Sequence, residues 1–103
     1  MKVEITALDK LPRDRGVRVS VGDHRIAMFR VGDEVYAVGD TCSHAEASLA
    51  EGEVFDMSVE CPRHGSEFDL RTGAPSSLPA TSSVPTYDVS IEDGTVYVTL
   101  EDL

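Results

Sequence analysis

The chain has 103 residues, of which 19 are acidic and 9 are basic, and its formal net charge is −10. This length predicts one domain over residues 1–103 with a thin hydrophobic core. The negative charge argues against nucleic acid or an anionic membrane as a partner. Because no apolar run reaches about 18 residues and the N-terminus lacks a secretory pattern, we expect a cytoplasmic protein with no membrane partner.

Alternating or largely apolar runs predict nine short strands, at residues 3–7, 17–21, 25–31, 35–38, 54–55, 58–60, 68–70, 87–91 and 95–100. Three of the connections contain dipeptides typical of hairpin turns, namely Gly22-Asp23, Gly32-Asp33 and Asp93-Gly94. Helix is limited to one turn within residues 45–51, and the proline-rich residues 74–85 predict an extended loop. The expected fold class is therefore all-β, as a small sandwich or barrel.

Each of the two cysteines is followed closely by a histidine. Cys42 and His44 form the first pair, Cys61 and His64 form the second, and sixteen residues separate His44 from Cys61. Each pair follows a predicted strand, so two loops at one end of a sheet can present four ligands to one site. In the cytoplasm such cysteines stay reduced or bind metal instead of forming a disulfide.

Thiolate and imidazole ligands suit zinc, copper or iron–sulfur chemistry, not magnesium or calcium. A structural zinc site also uses two cysteines and two histidines. Zinc fingers, however, usually place cysteine with cysteine and histidine with histidine, whereas each loop here supplies one of each. The spacing alone leaves zinc and iron–sulfur open, with a chance grouping the least favoured interpretation.

The neighbouring residues add a more specific signal. Residues 42–44 read C-S-H, residues 61–68 read C-P-R-H-G-S-E-F, and residues 71–73 read R-T-G. This pattern resembles the Rieske ferredoxin family, which shows C-x-H, about sixteen residues, and then C-P-x-H-G-x-x-F. The resemblance extends from about Val35 through the final hairpin. It implies a small Rieske-type antiparallel β-sandwich or barrel, with cluster-binding loops at about 40–48 and 60–68 at one end.

The resemblance implies one [2Fe–2S] cluster per chain. Cys42 and Cys61 would then hold one iron, and His44 and His64 the other. Two neutral imidazoles in place of two thiolates make such a cluster less negative, and Rieske potentials accordingly span roughly −150 to +300 mV.

The same family pattern identifies residues expected to shape, shield or tune the site, which are Pro62, Gly65, Ser66 and Phe68. High-potential members carry a second cysteine in each loop, but Ala47 and Arg63 occupy those positions here. They also have a serine and a tyrosine that donate hydrogen bonds to sulfur. This chain keeps the serine as Ser66 and has Phe68 in place of the tyrosine, so we expect a potential toward the bottom of the range.

Stand-alone low-potential Rieske proteins resemble the ferredoxin components of ring-hydroxylating dioxygenases. A flavoprotein reductase would donate electrons to such a protein, and an oxygenase or other redox protein would accept them. The chain has no room for a catalytic iron domain, and only His24 is left outside the two ligand pairs. We therefore expect a monomeric electron carrier without its own substrate chemistry.

Two alternative functions stay open at this point. The tail around residues 78–85 also resembles Rieske proteins associated with iron–sulfur cluster assembly or redox sensing. The other alternative is a zinc-binding or cluster-free interaction module on the same fold, as in small subunits of some assimilatory nitrite reductases.

Several other polar residues have structural as well as functional interpretations. We expect His24 to be a solvated turn residue and Asp40 to cap the first loop through backbone N–H groups. Arg63 could dock an acidic partner or simply be exposed at a loop tip. The carboxylates near the ligand pairs form either a solvated acidic surface or a docking face, and they are Glu46, Glu51, Glu53, Asp56 and Glu60.

Overall fold

The computed structural model describes residues 1–42, 47–63, 65–76 and 82–101. Within these ranges the strands are β1 (Lys2–Ala7), β2 (Gly16–Val21), β3 (His24–Val31), β4 (Glu34–Gly39), β5 (Val54–Phe55), β6 (Ser58–Glu60), β7 (Glu67–Asp69), β8 (Thr86–Glu92) and β9 (Thr95–Thr99). Short 3-10 turns lie at Leu8–Lys10 and Leu49–Glu51. In this part of the chain no helix is long and apolar enough to cross a bilayer.

The strands form two antiparallel sheets. The larger has the order β1-β9-β8-β4-β3-β2, and the smaller has the order β5-β6-β7. Gly22, Gly32 and Gly94 have φ values of 58°, 65° and 76°, which is the backbone region that tight hairpin turns require. The predicted all-β fold and its three hairpin turns are thus confirmed.

The described parts of the Pro-rich region, residues 74–76 and 82–85, contain no strand. This agrees with the predicted loop. Pro75 makes an isolated bridge to Phe68. The helical turn predicted within residues 45–51 is a 3-10 turn at Leu49–Glu51, and residues 45 and 46 lie outside the described residues.

Strands β3 and β4 are buried on both faces, which explains their nearly continuous apolar sequence. On β3, Ala27 and Phe29 point toward one core, whereas Ile26 and Met28 point toward another. The first, which we call the loop core, consists of Ala27, Phe29, Val38, Cys42, Leu49, Val59, Cys61, Phe68, Leu70 and Val84. The second, the sheet core, consists of Leu11, Ile26, Met28, Val35, Ala37, Val96, Val98 and Leu100.

The interpretation of His24 as a solvated turn residue is wrong. His24 is the first residue of β3 and is half-buried. Its Nδ1 lies 3.1 Å from the hydroxyl of Tyr87, and the two rings meet edge to face. The hairpin turn ends one residue earlier than the sequence suggests, because Val21 pairs with His24 across it.

Candidate metal centre

Both cysteines lie inside the loop core. Cys42 is 4% exposed and Cys61 is fully buried, and neither forms a disulfide. Leu49, Val59 and Phe68 belong to the same cluster. The small sheet and the residues after β4 therefore bring two buried thiols, nineteen positions apart in sequence, into one core.

The two cysteine-bearing loops are closed by the same backbone pattern. In the first, Thr41 bridges Ser48, and the Cys42 N–H donates to the Ala47 carbonyl at 3.0 Å. In the second, Glu60 pairs with Glu67, and the Cys61 N–H donates to the Ser66 carbonyl at 2.7 Å.

In each loop the cysteine N–H donates to the carbonyl of the fifth residue after the cysteine. The residue before the cysteine pairs with the sixth residue after the cysteine. The two cysteines occupy equivalent positions at the bases of two matched loops.

The second loop runs from the core to solvent and back. Cys61 and Ser66 are buried, whereas Pro62, Arg63 and Gly65 are exposed. Gly65 has φ +73° and donates its N–H to the Cys61 carbonyl at 3.0 Å, closing the turn. The tip of this loop is therefore the solvent-facing end of the site.

The expected ligands His44 and His64 lie outside the described residues. Among the residues that are described, no group of three or more histidine, cysteine or acidic side chains is placed to hold a metal ion. The four-ligand set therefore stays a prediction. The structure describes the positions of its two cysteines, Cys42 and Cys61.

Asp40 organises the first loop from a buried position. It is 2% exposed, and its Oδ1 accepts hydrogen bonds from Ser48 Oγ at 2.7 Å and from the Ala50 N–H at 3.0 Å. Its backbone carbonyl also accepts the Leu49 N–H at 2.7 Å. The predicted capping role of Asp40 is confirmed, because the carboxylate fixes the segment that returns from the first loop.

Two glycines that the sequence analysis did not single out allow the loop bases to pack closely. A Cβ on Gly16 would lie 2.5 Å from the Ala50 carbonyl oxygen, and one on Gly52 would lie 2.0 Å from the Glu60 carbonyl oxygen. Both distances are far shorter than ordinary van der Waals contact. Gly16 therefore lets the 3-10 turn Leu49–Glu51 rest on β2, and Gly52 lets it approach the strand that leads to Cys61.

The two residues expected to tune the site are both fully buried. Phe68 lies in the loop core with the two cysteines, and Ser66 accepts the Cys61 N–H through its backbone carbonyl. Phe68 carries no hydroxyl, so its contribution beside the thiols is apolar packing. Ser66 is the hydroxyl-bearing residue at the base of the second loop.

Tyr36, Asp69 and Arg71 have shifted pKa values, and all three lie away from the cysteines in sequence. Hydrogen bonding from the Arg71 side chain lowers the pKa of Asp69, and the same carboxylate accepts the Arg71 N–H at 2.7 Å. The hydrogen bond from Tyr36 to Glu34, at 2.6 Å, raises the pKa of the tyrosine hydroxyl. The contact between Asp69 and Arg71 stabilises the turn after β7, whereas the bond between Tyr36 and Glu34 lies within β4, and neither adds a ligand to the site.

The donor chemistry fits an iron–sulfur cluster. Two thiols that share a dry core, neither in a disulfide, are soft ligands for iron–sulfur or zinc centres. Their placement on two separate matched loops gives each loop one thiol to contribute. Each loop also carries a histidine within three residues of its cysteine in the sequence.

Comparison with known proteins is consistent with this arrangement. Residues 1–88 match the Rieske [2Fe–2S] domain family. The anthranilate 1,2-dioxygenase ferredoxin subunit of Burkholderia cepacia is 46% identical over 92 residues, which cover 89% of this chain and 85% of that protein.

Solved structures of similar proteins share the whole fold. The ferredoxin of carbazole 1,9a-dioxygenase from Nocardioides aromaticivorans IC177 superposes with a TM-score of 0.94 at 36% identity, covering 98% of this chain and 99% of the other. A chain from a complex of reduced oxygenase and oxidised ferredoxin in carbazole 1,9a-dioxygenase gives a TM-score of 0.89 at 38% identity, covering 97% of each chain.

Proposed function

Because this chain belongs to the Rieske [2Fe–2S] domain family, we propose that it is the ferredoxin component of a ring-hydroxylating dioxygenase system. It would take single electrons from a flavoprotein reductase and pass them to a terminal oxygenase. The observation that carries this proposal is the pair of buried thiols on matched loops, one of which has an exposed tip. The ferredoxin names of the similar proteins agree with it.

The proposed ligands of the cluster are Cys42, His44, Cys61 and His64. When bound, the cluster supplies a one-electron redox centre. The chain itself encloses the two thiols in the loop core, which excludes water from them, and the Cys61 N–H is committed to Ser66. Exposed Pro62, Arg63 and Gly65 leave the tip of the second loop open to a partner. Electrons would therefore enter and leave across the loop tips.

We propose that this protein carries electrons and catalyses no substrate reaction itself. A catalytic iron of the dioxygenase type needs two histidines and a carboxylate with open positions. The sequence has three histidines, two of which belong to the proposed ligand set. The remaining one, His24, contacts Tyr87. We also propose that residues 1–103 work as one domain and that the protein acts in the cytoplasm, where thiols stay available as ligands.

The purified holoprotein provides the direct test of this function. We expect a red-brown protein that gives a rhombic EPR signal after dithionite reduction. Mixed anaerobically with the oxidised oxygenase of the anthranilate 1,2-dioxygenase system, the reduced protein should lose that signal as the oxygenase becomes reduced.

Two other outcomes would contradict the proposal in different ways. A colourless protein with one tightly bound zinc would indicate a structural or interaction module. A coloured, reducible protein that transfers no electron to an oxygenase would favour the role in cluster assembly or redox sensing.

Substituting Ser66 with alanine tests how the buried hydroxyl tunes the site. A hydrogen bond to a charged acceptor contributes about 1.5–3 kcal/mol, and about 1.4 kcal/mol corresponds to roughly 60 mV for one electron. If Ser66 stabilises the reduced state, Ser66→Ala lowers the midpoint potential by roughly 60 to 130 mV. Protein-film voltammetry measures this change.

Ser58→Ala is the matched control for that experiment. Ser58 is half-buried on the same small sheet but starts β6, at the end away from Cys61. We expect its substitution to leave the potential unchanged. A Ser66→Ala protein with an unaltered potential and an intact spectrum would show that Ser66 donates nothing to the cluster.

A further inference from the structure

Three arginines lie beside the first loop in this acidic protein. Arg18 on β2 and Arg25 on β3 line a cavity of about 710 Å³. Arg18 and Arg15 line a neighbouring cavity of about 500 Å³, against the 3-10 turn Leu49–Glu51. We call Arg15, Arg18 and Arg25 the arginine strip.

The strip adjoins both loops of the proposed cluster site. Thr41, Ala47 and Ser48, which flank or close the first loop, form walls of the larger cavity. Pro62, the residue after Cys61, lines the same cavity. A protein that covers the loop tips closely enough to exchange electrons must therefore also cover the cavity in which Arg18 and Arg25 lie.

The charges of the strip are not neutralised within the described part of the chain. Four other basic residues make ion pairs there, namely Lys2 with Glu92, Arg13 and Arg30 with Asp33, and Arg71 with Asp69, whereas Lys10 makes none with a described residue. No such pair forms at Arg15, Arg18 or Arg25, although acidic residues outnumber basic ones by 19 to 9. Arg63, at the exposed tip of the second loop, has no ion pair in these ranges either.

Asp40 and Glu51 line the larger cavity together with Arg18 and Arg25, but neither forms an ion pair with the strip. Asp40 is buried and uses Oδ1 to accept hydrogen bonds from Ser48 and Ala50. Glu51 is exposed on the rim of both cavities and forms no ion pair with a described residue. Exposed arginines that form no ion pair with any described carboxylate are suited to bind carboxylates of another molecule.

We propose that the arginine strip, with Arg63, is a docking surface for an acidic patch on the protein that exchanges electrons with this site. The inference rests on the proposed function, since it assumes that electrons cross the loop tips. Forked guanidinium–carboxylate pairs would fix the orientation of the partner over the loops. The strip is thus a local group of positive charges in a chain whose net charge is −10.

Charged inorganic oxidants test the sign of this local charge without a purified partner. In each encounter one electron moves from the reduced holoprotein to ferricyanide, whose ferric ion becomes ferrous, and no proton is transferred. Arg18→Glu/Arg25→Glu should lower the stopped-flow rate with ferricyanide about tenfold or more at low ionic strength. The same variant should raise the rate with a cationic cobalt(III) tris-phenanthroline complex, and both effects should fade in high salt.

Lys10→Glu/Arg13→Glu is the matched control, because it changes the net charge by the same amount. Arg13 bridges Arg30, five residues along β3 from Arg25 and therefore roughly 17 Å away. Lys10 follows Leu8, whose N–H bonds Gly94 in the hairpin turn at that same far end. At the same ionic strength we expect the control to lower the ferricyanide rate by a clearly smaller factor than the strip variant, because its charges lie roughly 17 Å farther from the loops.

A hexaglutamate peptide then stands in for the acidic patch. At low salt it should slow ferricyanide oxidation of the wild type and of the control, but not of Arg18→Glu/Arg25→Glu, and hexaglycine should slow none of them. If the glutamate variant does not fold, Arg18→Gln/Arg25→Gln should give a smaller effect of the same sign.

Equal responses of the strip variant and the control to ferricyanide, or to hexaglutamate, would overturn the docking proposal while leaving electron transfer intact. A wild type with no reducible centre would instead overturn the proposed function, so the two failures are distinguishable.

Discussion

Serine at position 61 is expected to give a colourless protein that unfolds much more easily than the wild type. Cys61 is fully buried in the loop core, and its substitution removes a proposed iron ligand and leaves a hydroxyl there. Because binding of a metal centre contributes directly to folding, we expect a loss of at least about 3 kcal/mol in the free energy of unfolding. Visible absorption, iron content and urea unfolding measure the two effects.

Val59→Ala separates the loss of a ligand from simple damage to the core. Val59 is fully buried in the same cluster of side chains but supplies no donor atom. Its truncation should cost about 1 to 3 kcal/mol through the cavity that it leaves, while the colour of the protein persists. A Cys61→Ser protein that retained the wild-type spectrum and iron content would refute Cys61 as a ligand.

Alanine at position 52 is expected to weaken the site without removing any proposed ligand. The added Cβ would lie 2.0 Å from the Glu60 carbonyl oxygen and 3.1 Å from a methyl group of Val59. The backbone must move to relieve this overlap, at a cost of about 1 to 3 kcal/mol or more. Since Glu60 precedes Cys61, we also expect a changed EPR signal, and chemical unfolding followed by EPR spectroscopy would detect both effects.

Gly94→Ala provides the comparison for that variant. Gly94 lies in the β8–β9 turn, where a Cβ would meet nothing within 4 Å, but its φ of +76° disfavours alanine. We expect a cost of about 1 kcal/mol from backbone strain alone, with an unchanged EPR signal. If Gly52→Ala behaved in the same way as Gly94→Ala, the close approach at Glu60 would not help to position Cys61.

The strands could be predicted from sequence because turn chemistry and apolar spacing agree along most of the chain. Gly32-Asp33 and Asp93-Gly94 mark two-residue turns, and the runs on either side pair across them. The two cysteines were identified because each has a histidine nearby. That both enter one buried cluster is a tertiary fact, and it follows from the way in which the small sheet packs against β3 and β4.

The supporting residues were harder to predict, because their roles depend on contacts distant in sequence. Gly16 was not singled out from the sequence, because nothing near it in sequence signals the backbone of Ala50 against which it packs. The shared position of Arg18 and Arg25, by contrast, could be predicted from the sequence. The turn at Gly22-Asp23 fixes the register, which places Ser20 opposite Arg25 and Arg18 opposite Ala27. Arg18 and Arg25 therefore share one face of the hairpin.

Strands β3 and β4 serve as a common wall between the loop core and the sheet core. The two cores have no side chain in common. Cooperative opening can therefore be confined to one side. An apoprotein that has lost order around Cys42 and Cys61 would still retain the β1-β9-β8-β4-β3-β2 sheet as a folded platform. We therefore expect cluster insertion to order the residues around the two cysteines on a folded sheet, without refolding of the whole chain.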